Sequence, residues 1–297
     1  MNVPAQATRT VLIQPHAELA DCVRGYVVRS TVGADLHAHE RHNFFPAALN
    51  CSISWTIEGE THMVRMGDQF ISSPAPSPIM FSGPQTVPSE TRNPGPVHFF
   101  LCMLLPDAVR ALTGIDVQAH TNRHSPLHAV LDDEWKAVSE AIQTARDDAE
   151  RVQWIEAFLL PRWQQVRAGA LRRGPEERDW MQGLALRAAA SGHGRSLRQT
   201  ERRVKTWTGQ TLRQLQRLHR GEALFVRARQ AQLEGALKWA DLAAAHGYAD
   251  QSHLCRDFRK LSGLRLTQVF GAMRSDERFW IFRIWEHALP PRDLGDG

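Results

Sequence analysis

Nothing in this 297-residue chain approaches 18 consecutive uncharged apolar residues, so neither a membrane span nor a membrane partner is expected. The opening stretch, MNVPAQATRTVLIQPHAEL, has no long apolar core, and no secretory leader is read there. Four cysteines, Cys22, Cys51, Cys102 and Cys255, lie far apart with no C-x-x-C pair. That spacing removes the zinc ribbon and the dithiol redox motif, and it fits reduced thiols in a cytoplasmic protein. Nucleophile elbow, P-loop and dinucleotide fingerprint are also missing. No enzymatic activity, catalytic residue, cofactor or metal is therefore assigned.

What is present is a lopsided charge. The chain is long enough for two domains, and its overall +4 hides two opposite halves. Residues 1–161 hold 11 Lys/Arg against 18 Asp/Glu, whereas residues 162–274 hold 22 against 9. A basic module joined to an acidic one points to a polyanionic partner for the first. Charge alone would equally fit RNA, anionic lipid or a solvated surface.

The segment Trp239–Phe270 narrows that choice. It reads as two short helices joined by a tight turn. Leu242 and Ala243 supply an apolar face on the first helix. Gly247 stands where the chain needs a positive φ, and Asp250 can cap the second helix. There Leu254, Phe258 and Leu261 recur at helical spacing, while Gln251, Ser252, His253, Arg256, Arg259 and Lys260 line the other side. An apolar stripe facing a core and a basic, hydrogen-bonding stripe facing outward suit a helix that enters a major groove. The order A-x-x-x-G-Y-x-D-Q-S-H-L-x-R-x-F-R-K-x-x-G, from Ala243 to Gly263, resembles the second helix-turn-helix of the AraC/XylS family of bacterial transcription regulators. The family's usual Thr-Pro is replaced here by Arg265 and Leu266, and Thr267 is expected to cap the next helix instead.

A second copy lies upstream. Trp180–Ala190 is rich in helix formers, a loop SGHGR follows, and Ser196 can cap the helix LRQTERRVKTW, which stops at Gly209. Leu197, Val204 and Trp207 fall near one face of it, with Thr200 between them; Arg198, Glu201, Arg202 and Lys205 fall on the other. The pattern S-x-R-Q-x-E-R-R-x-K-x-x-x-G resembles the family's first recognition helix. Thr200 stands where Leu is usual and Val204 where Phe is usual, so the apolar face is smaller. A long helix from Thr211 to about Gln232 would bridge the two units through Leu212, Leu215, Leu218 and Ala223.

The resemblance implies a reader of two successive major grooves. Carried over by position, Arg198, Glu201, Arg202, Gln251, Ser252, His253 and Arg256 face bases. Ser196, Gln199, Arg203, Lys205, Arg259 and Lys260 face phosphates. Glu201 belongs either over a cytosine or in a pair with Arg198 or Lys205. Double-stranded DNA is the expected partner. A small-molecule effector, a homodimer partner and, for an activator, RNA polymerase are open to it.

Residues 22–105 look β-rich: YVVRST, ALNCSISWTIEGE, THMVRMGDQFISS, PIMFSG and VHFFLCMLL are separated by Gly, Pro and Asp, with a turn at Glu58-Gly59-Glu60. Helical spacing takes over after Pro106, where Val130, Trp135, Val138, Ile142 and Ala145 line one side for a dimer contact or for packing on the barrel. Asn43-Phe44-Phe45-Pro46-Ala47, Trp55, Gly59, Gly83-Pro84-Gln85-Thr86 and Pro106-Asp107-Ala108 resemble the sensor part of one subgroup of these regulators, which implies a cupin-like barrel. The expected fold is thus α+β. Residues 1–165 form a cupin-like β-barrel or sandwich with following helices. Residues 166–280 form an all-α domain with helix-turn-helix units at about 180–209 and 239–263, and residues 281–297 form a tail. LHAHERH brings His37, His39 and His42 close, with His37 and His39 on one strand face and His98 further on. Cupin enzymes hold a metal with H-x-H, a later Glu and a distant His, but Glu40 here follows His39 directly. Surface or pocket-lining histidines are favoured, and a cupin-type metal-dependent enzyme with an appended nucleic-acid-binding module is the competing class.

Overall fold

The computed structural model describes residues 7–169, 180–190 and 196–288. The loop 191–195 expected between the helices of the first unit lies outside them. Strands come first and helices after, a mixed α+β architecture. One antiparallel sheet has six strands: β1 (Arg9–Ile13), β2 (Val23–Ser30), β4 (Cys51–Glu58), β7 (Ile79–Ser82), β9 (His98–Leu104) and β10 (His124–Pro126), in the order β1-β2-β9-β4-β7-β10. The other has four: β3 (His42–Phe45), β5 (His62–Met66), β6 (Gln69–Pro74) and β8 (Ser89–Arg92), in the order β3-β8-β5-β6. β1, β3, β8 and β10 were not read from the sequence. They are short, β3 opens on His42 and Asn43, and β8, Ser-Glu-Thr-Arg, carries no apolar residue at all.

The alternation of a strand decides what each face of the large sheet meets. In β4, Cys51, Ile53 and Trp55 are buried and the serines between them only half so. These residues, with Tyr26, Phe100 and Cys102, pack under α1 (Pro106–Thr113), α2 (Asp133–Thr144) and α3 (Asp148–Gly169). Trp55 Nε1 donates to the Ser139 carbonyl of α2 at 3.1 Å. The stripe on α2 therefore packs on the barrel through Trp135 and Ile142, the second of its two expected uses.

The opposite face carries Leu12, Val27, Phe99, Leu101 and Met103, and the chain's own C-terminal segment covers it. Helix α10 (Trp280–Ala288) and the turn Glu277–Phe279 before it bury Phe279, Trp280, Ile281, Phe282 and Ile284 there. Trp280 meets Phe45 and Phe99 edge-on and donates from Nε1 to Asn43 Oδ1 at 2.8 Å. Glu277 pairs with the buried Arg29 of β2 at 2.7 Å. Residues 281–288 are thus no loose tail: they continue α10, and Ile281, Phe282 and Ile284 are buried in the same core as Phe279 and Trp280.

Among the described residues six further helices precede α10: α4 (Trp180–Ala190), α5 (Leu197–Thr208), α6 (Leu212–Leu233), α7 (Trp239–Ala245), α8 (Gln251–Ser262) and the short α9 (Leu266–Ala272). Thr211 and Gln214 form a capping box at the start of α6. Helix α6 is the expected bridge. Leu215 and Leu218 join the core under the first unit, and Leu224, Phe225 and Ala228 join the core under the second. Ala223 stays half-buried. Glu222 on α6 takes both terminal nitrogens of Arg24 from β2, at 3.1 and 3.0 Å, so the bridge is also tied to the sandwich. Helix α9 begins at Leu266 behind Arg265, not at a Thr267 cap, because Leu266 is drawn into the core and leaves Thr267 inside the first turn. Among the described residues no helix is long and apolar enough to cross a membrane.

Candidate nucleic-acid interface

Helices α5 and α8 are built on one frame. Each is 12 residues long, and each residue of α8 stands fifty-four positions after its counterpart in α5. Ser196 caps α5 by accepting the Gln199 amide at 3.4 Å; Asp250 caps α8 by accepting the His253 amide at 2.6 Å. Each helix stops at a left-handed glycine, Gly209 at φ 71 and Gly263 at φ 73, a conformation a side chain would strain. At each end a hydroxyl closes the turn in the same way. Thr208 Oγ1 donates to Val204 O and accepts the Gln210 amide, and Ser262 Oγ donates to Phe258 O and accepts the Leu264 amide.

The outward faces carry most of the residues expected to meet DNA. On α8, Gln251, Ser252, Arg256, Arg259 and Lys260 are exposed, while Leu254, Asp257, Phe258 and Leu261 are buried. On α5, Arg198, Gln199, Glu201, Arg202 and Lys205 are exposed, as is the Ser196 cap, while Thr200, Val204 and Thr208 are buried. Glu201 is exposed, and among the described residues it makes no ion pair with Arg198 or Lys205.

Three residues depart from expectation. Arg203 is half-buried and donates from Nη1 to the Ala188 carbonyl at 2.8 Å, which fastens α5 to α4. His253 is half-buried, edge-on against Tyr248 at 5.3 Å, and its Nδ1 accepts the Ala249 amide at 3.3 Å. Its ring leans back on the turn that precedes α8. Leu197, expected on the apolar face, is 71% exposed at the first position of α5.

The anchoring of the two helices was not legible in the sequence. Asp257, on the inner side of α8, pairs with Arg217 at 2.7 Å and Arg220 at 3.6 Å, both on α6. Arg220 also lies over the Tyr248 ring at 4.5 Å, and burial followed by the Asp257 carboxylate raises the Tyr248 phenol. This cluster fixes α8 to the bridge with charge as well as apolar contact. An acid two residues before the basic pair Arg259-Lys260 gives no local sign of such an anchor.

The N-terminal half supports both helices. Thr121 Oγ1 donates to Gly209 O at 3.2 Å just beyond α5, and the Ala47 amide donates to Leu261 O of α8 at 2.7 Å. Between them Gln210 Nε2 reaches Ala48 O and Leu49 O at 3.4 and 3.5 Å. One short loop, residues 46–49, therefore touches both the segment after α5 and the end of α8. The cavity it shares with Leu218, Gly221, Glu222, Phe258 and Leu261 is about 10 Å³, room for roughly one water molecule.

The histidines do not converge. His37 caps a short helical turn, Ala38–Arg41, and stacks at 5.8 Å on His39 within it, so the two do not share a strand face. The Glu40 carboxylate accepts the His37 amide and so favours that turn. His42 pairs with Glu90 at 2.7 Å, and His98 with Asp148 at 2.9 Å. Among the described residues no group of three His, Cys, Asp or Glu is placed to hold a metal ion.

No family model and no curated protein matches the chain. Among solved structures it is similar to ToxT from Vibrio cholerae O395, at 10% identity over 76% of this chain and 91% of that one, with a TM-score of 0.36. A 1.65 Å structure of ToxT from Vibrio cholerae spans 89% of this chain and 97% of its own at 10% identity, again with a TM-score of 0.36. The unsaturated fatty acid-bound wild-type ToxT of Vibrio cholerae strain SCE256 matches at 11% identity over 76% of this chain and 89% of that one, TM-score 0.36.

Proposed function

We propose that this protein is a sequence-specific DNA-binding regulator of transcription, acting in the cytoplasm, that reads two adjacent major-groove segments with α5 and α8. The observation that carries the proposal is the pair of register-matched 12-residue helices, each with its cap, its terminal glycine and an outward cationic face. Arg202 and Arg256 occupy the same helical position and would each grip a guanine; Gln251 suits adenine, and the unpaired Glu201 suits the amino group of cytosine. Lys205, Arg259 and Lys260 would take phosphates. Residues 1–165 are the part that answers to a small molecule or a partner subunit, and residues 166–280 are the reading part. Since loop 46–49 touches both units, an effector that binds one arrangement of that loop more tightly than another would change DNA affinity provided that DNA also favours one of those arrangements. An activator would in addition meet RNA polymerase.

The test is selection of bound fragments from random duplex DNA by the full-length chain. The expected site spans about 20 bp, with two blocks roughly one helical turn apart. A protein that enriches no duplex over scrambled competitor in dilute buffer removes the proposal.

A further inference from the structure

We infer that Leu197 is a specificity-determining residue that reads the 5-methyl group of a thymine in the groove entered by α5; the inference rests on the DNA-binding function proposed above. Leu197 is 71% exposed and is the first residue of its helix, immediately after the Ser196 cap. The N-terminal residues of a recognition helix are those that reach base edges. Fifty-four positions later, in the same place on α8, stands the exposed Gln251, whose amide suits adenine. The two helices thus present an amide and an isobutyl group from equivalent positions.

The neighbours of Leu197 make its chemistry conspicuous. Arg198, Glu201 and Arg202 are all exposed, so an apolar side chain stands among charges that hydrogen-bond to bases and phosphates. Phosphates offer it nothing. The major-groove edge of a base pair displays one apolar group, the thymine methyl. Glu201 lies one helical turn along, about 5–6 Å away between Cβ atoms, and suits a cytosine amino group. Base pairs are stacked about 3.4 Å apart, so the two side chains reach adjacent or next-but-one steps. The expected word for α5 therefore contains a thymine close to a cytosine.

The experiment starts from the duplex selected by the full-length protein and replaces each thymine of the α5 block in turn by deoxyuridine. That change removes one methyl and leaves base pairing intact. One such replacement is expected to lower affinity about fourfold, the equivalent of burying one methyl group. Leu197→Ala should bind the thymine and uracil duplexes alike with an unchanged melting temperature, because the side chain is exposed, whereas Leu197→Met should keep the discrimination. Specific binding that is indifferent to uracil at every position of that block, or a selected block without thymine, overturns the inference and leaves the DNA-binding function standing. Failure to select any duplex overturns both.

Discussion

Helices α5 and α8 share a length, a cap and a stop, and differ in what fills the frame. Helix α8 buries Leu254, Phe258 and Leu261 and is pinned to the bridge through Asp257; helix α5 buries Thr200 and Val204 and is pinned to α4 through Arg203. Where α8 rests on its own apolar stripe, α5 depends more on its surroundings: the turn Val117–His120, Thr121 and α4. A duplicated local frame therefore tolerates very different interiors, provided that the lost apolar contact is replaced by a neighbour.

The contrast can be broken most directly from inside. Phe258→Ala should cost about 3–5 kcal/mol, and the equivalent Val204→Ala roughly 1–2 kcal/mol, read as midpoint shifts in urea unfolding. Equal losses would mean that α5 depends on its buried face as much as α8 does. A second test uses acid and the support beneath α5. Burial holds His124, on β10 close behind Thr121, down at about 4, with its Nδ1 2.6 Å from Ser82 Oγ. An unfolded histidine titrates near 6.5, so on acidification the unfolded chain takes up this proton first. The contribution is full above about pH 6.5 and is lost as pH falls toward 4, a loss of roughly 2–3 kcal/mol. His124→Gln should flatten the stability profile in that window; an unchanged slope would rule the histidine out.

Smaller effects sharpen the comparison at the surface. Arg256→Ala should relax base preference by about 1–3 kcal/mol in one block, and Arg202→Ala by a similar amount in the other, as read by repeating the selection with each variant. Blurring of both blocks by either change would refute separate reading. Asp250→Ala should cost about 1 kcal/mol of stability and Ser196→Ala less, because the first cap bond is 2.6 Å and the second 3.4 Å. Lys260→Ala should weaken every duplex alike and reduce the salt slope by about one unit, measured by titration at several ionic strengths.

How legible each part was follows from where its information lies. Helix α8 could be read because cap, stripe and glycine are all local: Asp250, Leu254, Phe258, Leu261 and Gly263 obey one period. Leu197 was misplaced by the same logic. Periodicity puts it on the face of Val204, but at the first turn the helix overhangs its support and the residue emerges into solvent. Arg203 is expected among the outward charges and Asp257 carries no expectation, because their partners, the Ala188 carbonyl on α4 and the arginines of α6, are set by tertiary contact. His37 and His39 looked like a strand pair until the Glu40 cap turned them into a helical turn.

The placement of α10 bears on how such a chain is made. Synthesis runs from the N-terminus, and domains ordinarily close as they emerge. Here Phe279, Trp280 and Phe282 share the cluster of Val27, Phe99 and Leu101, and those residues leave the ribosome only after α5 and α8 have done so. A product aborted after Ala272 would hold α5 and α8 complete beside an uncovered apolar sheet face, a patch of the kind that invites capture and degradation.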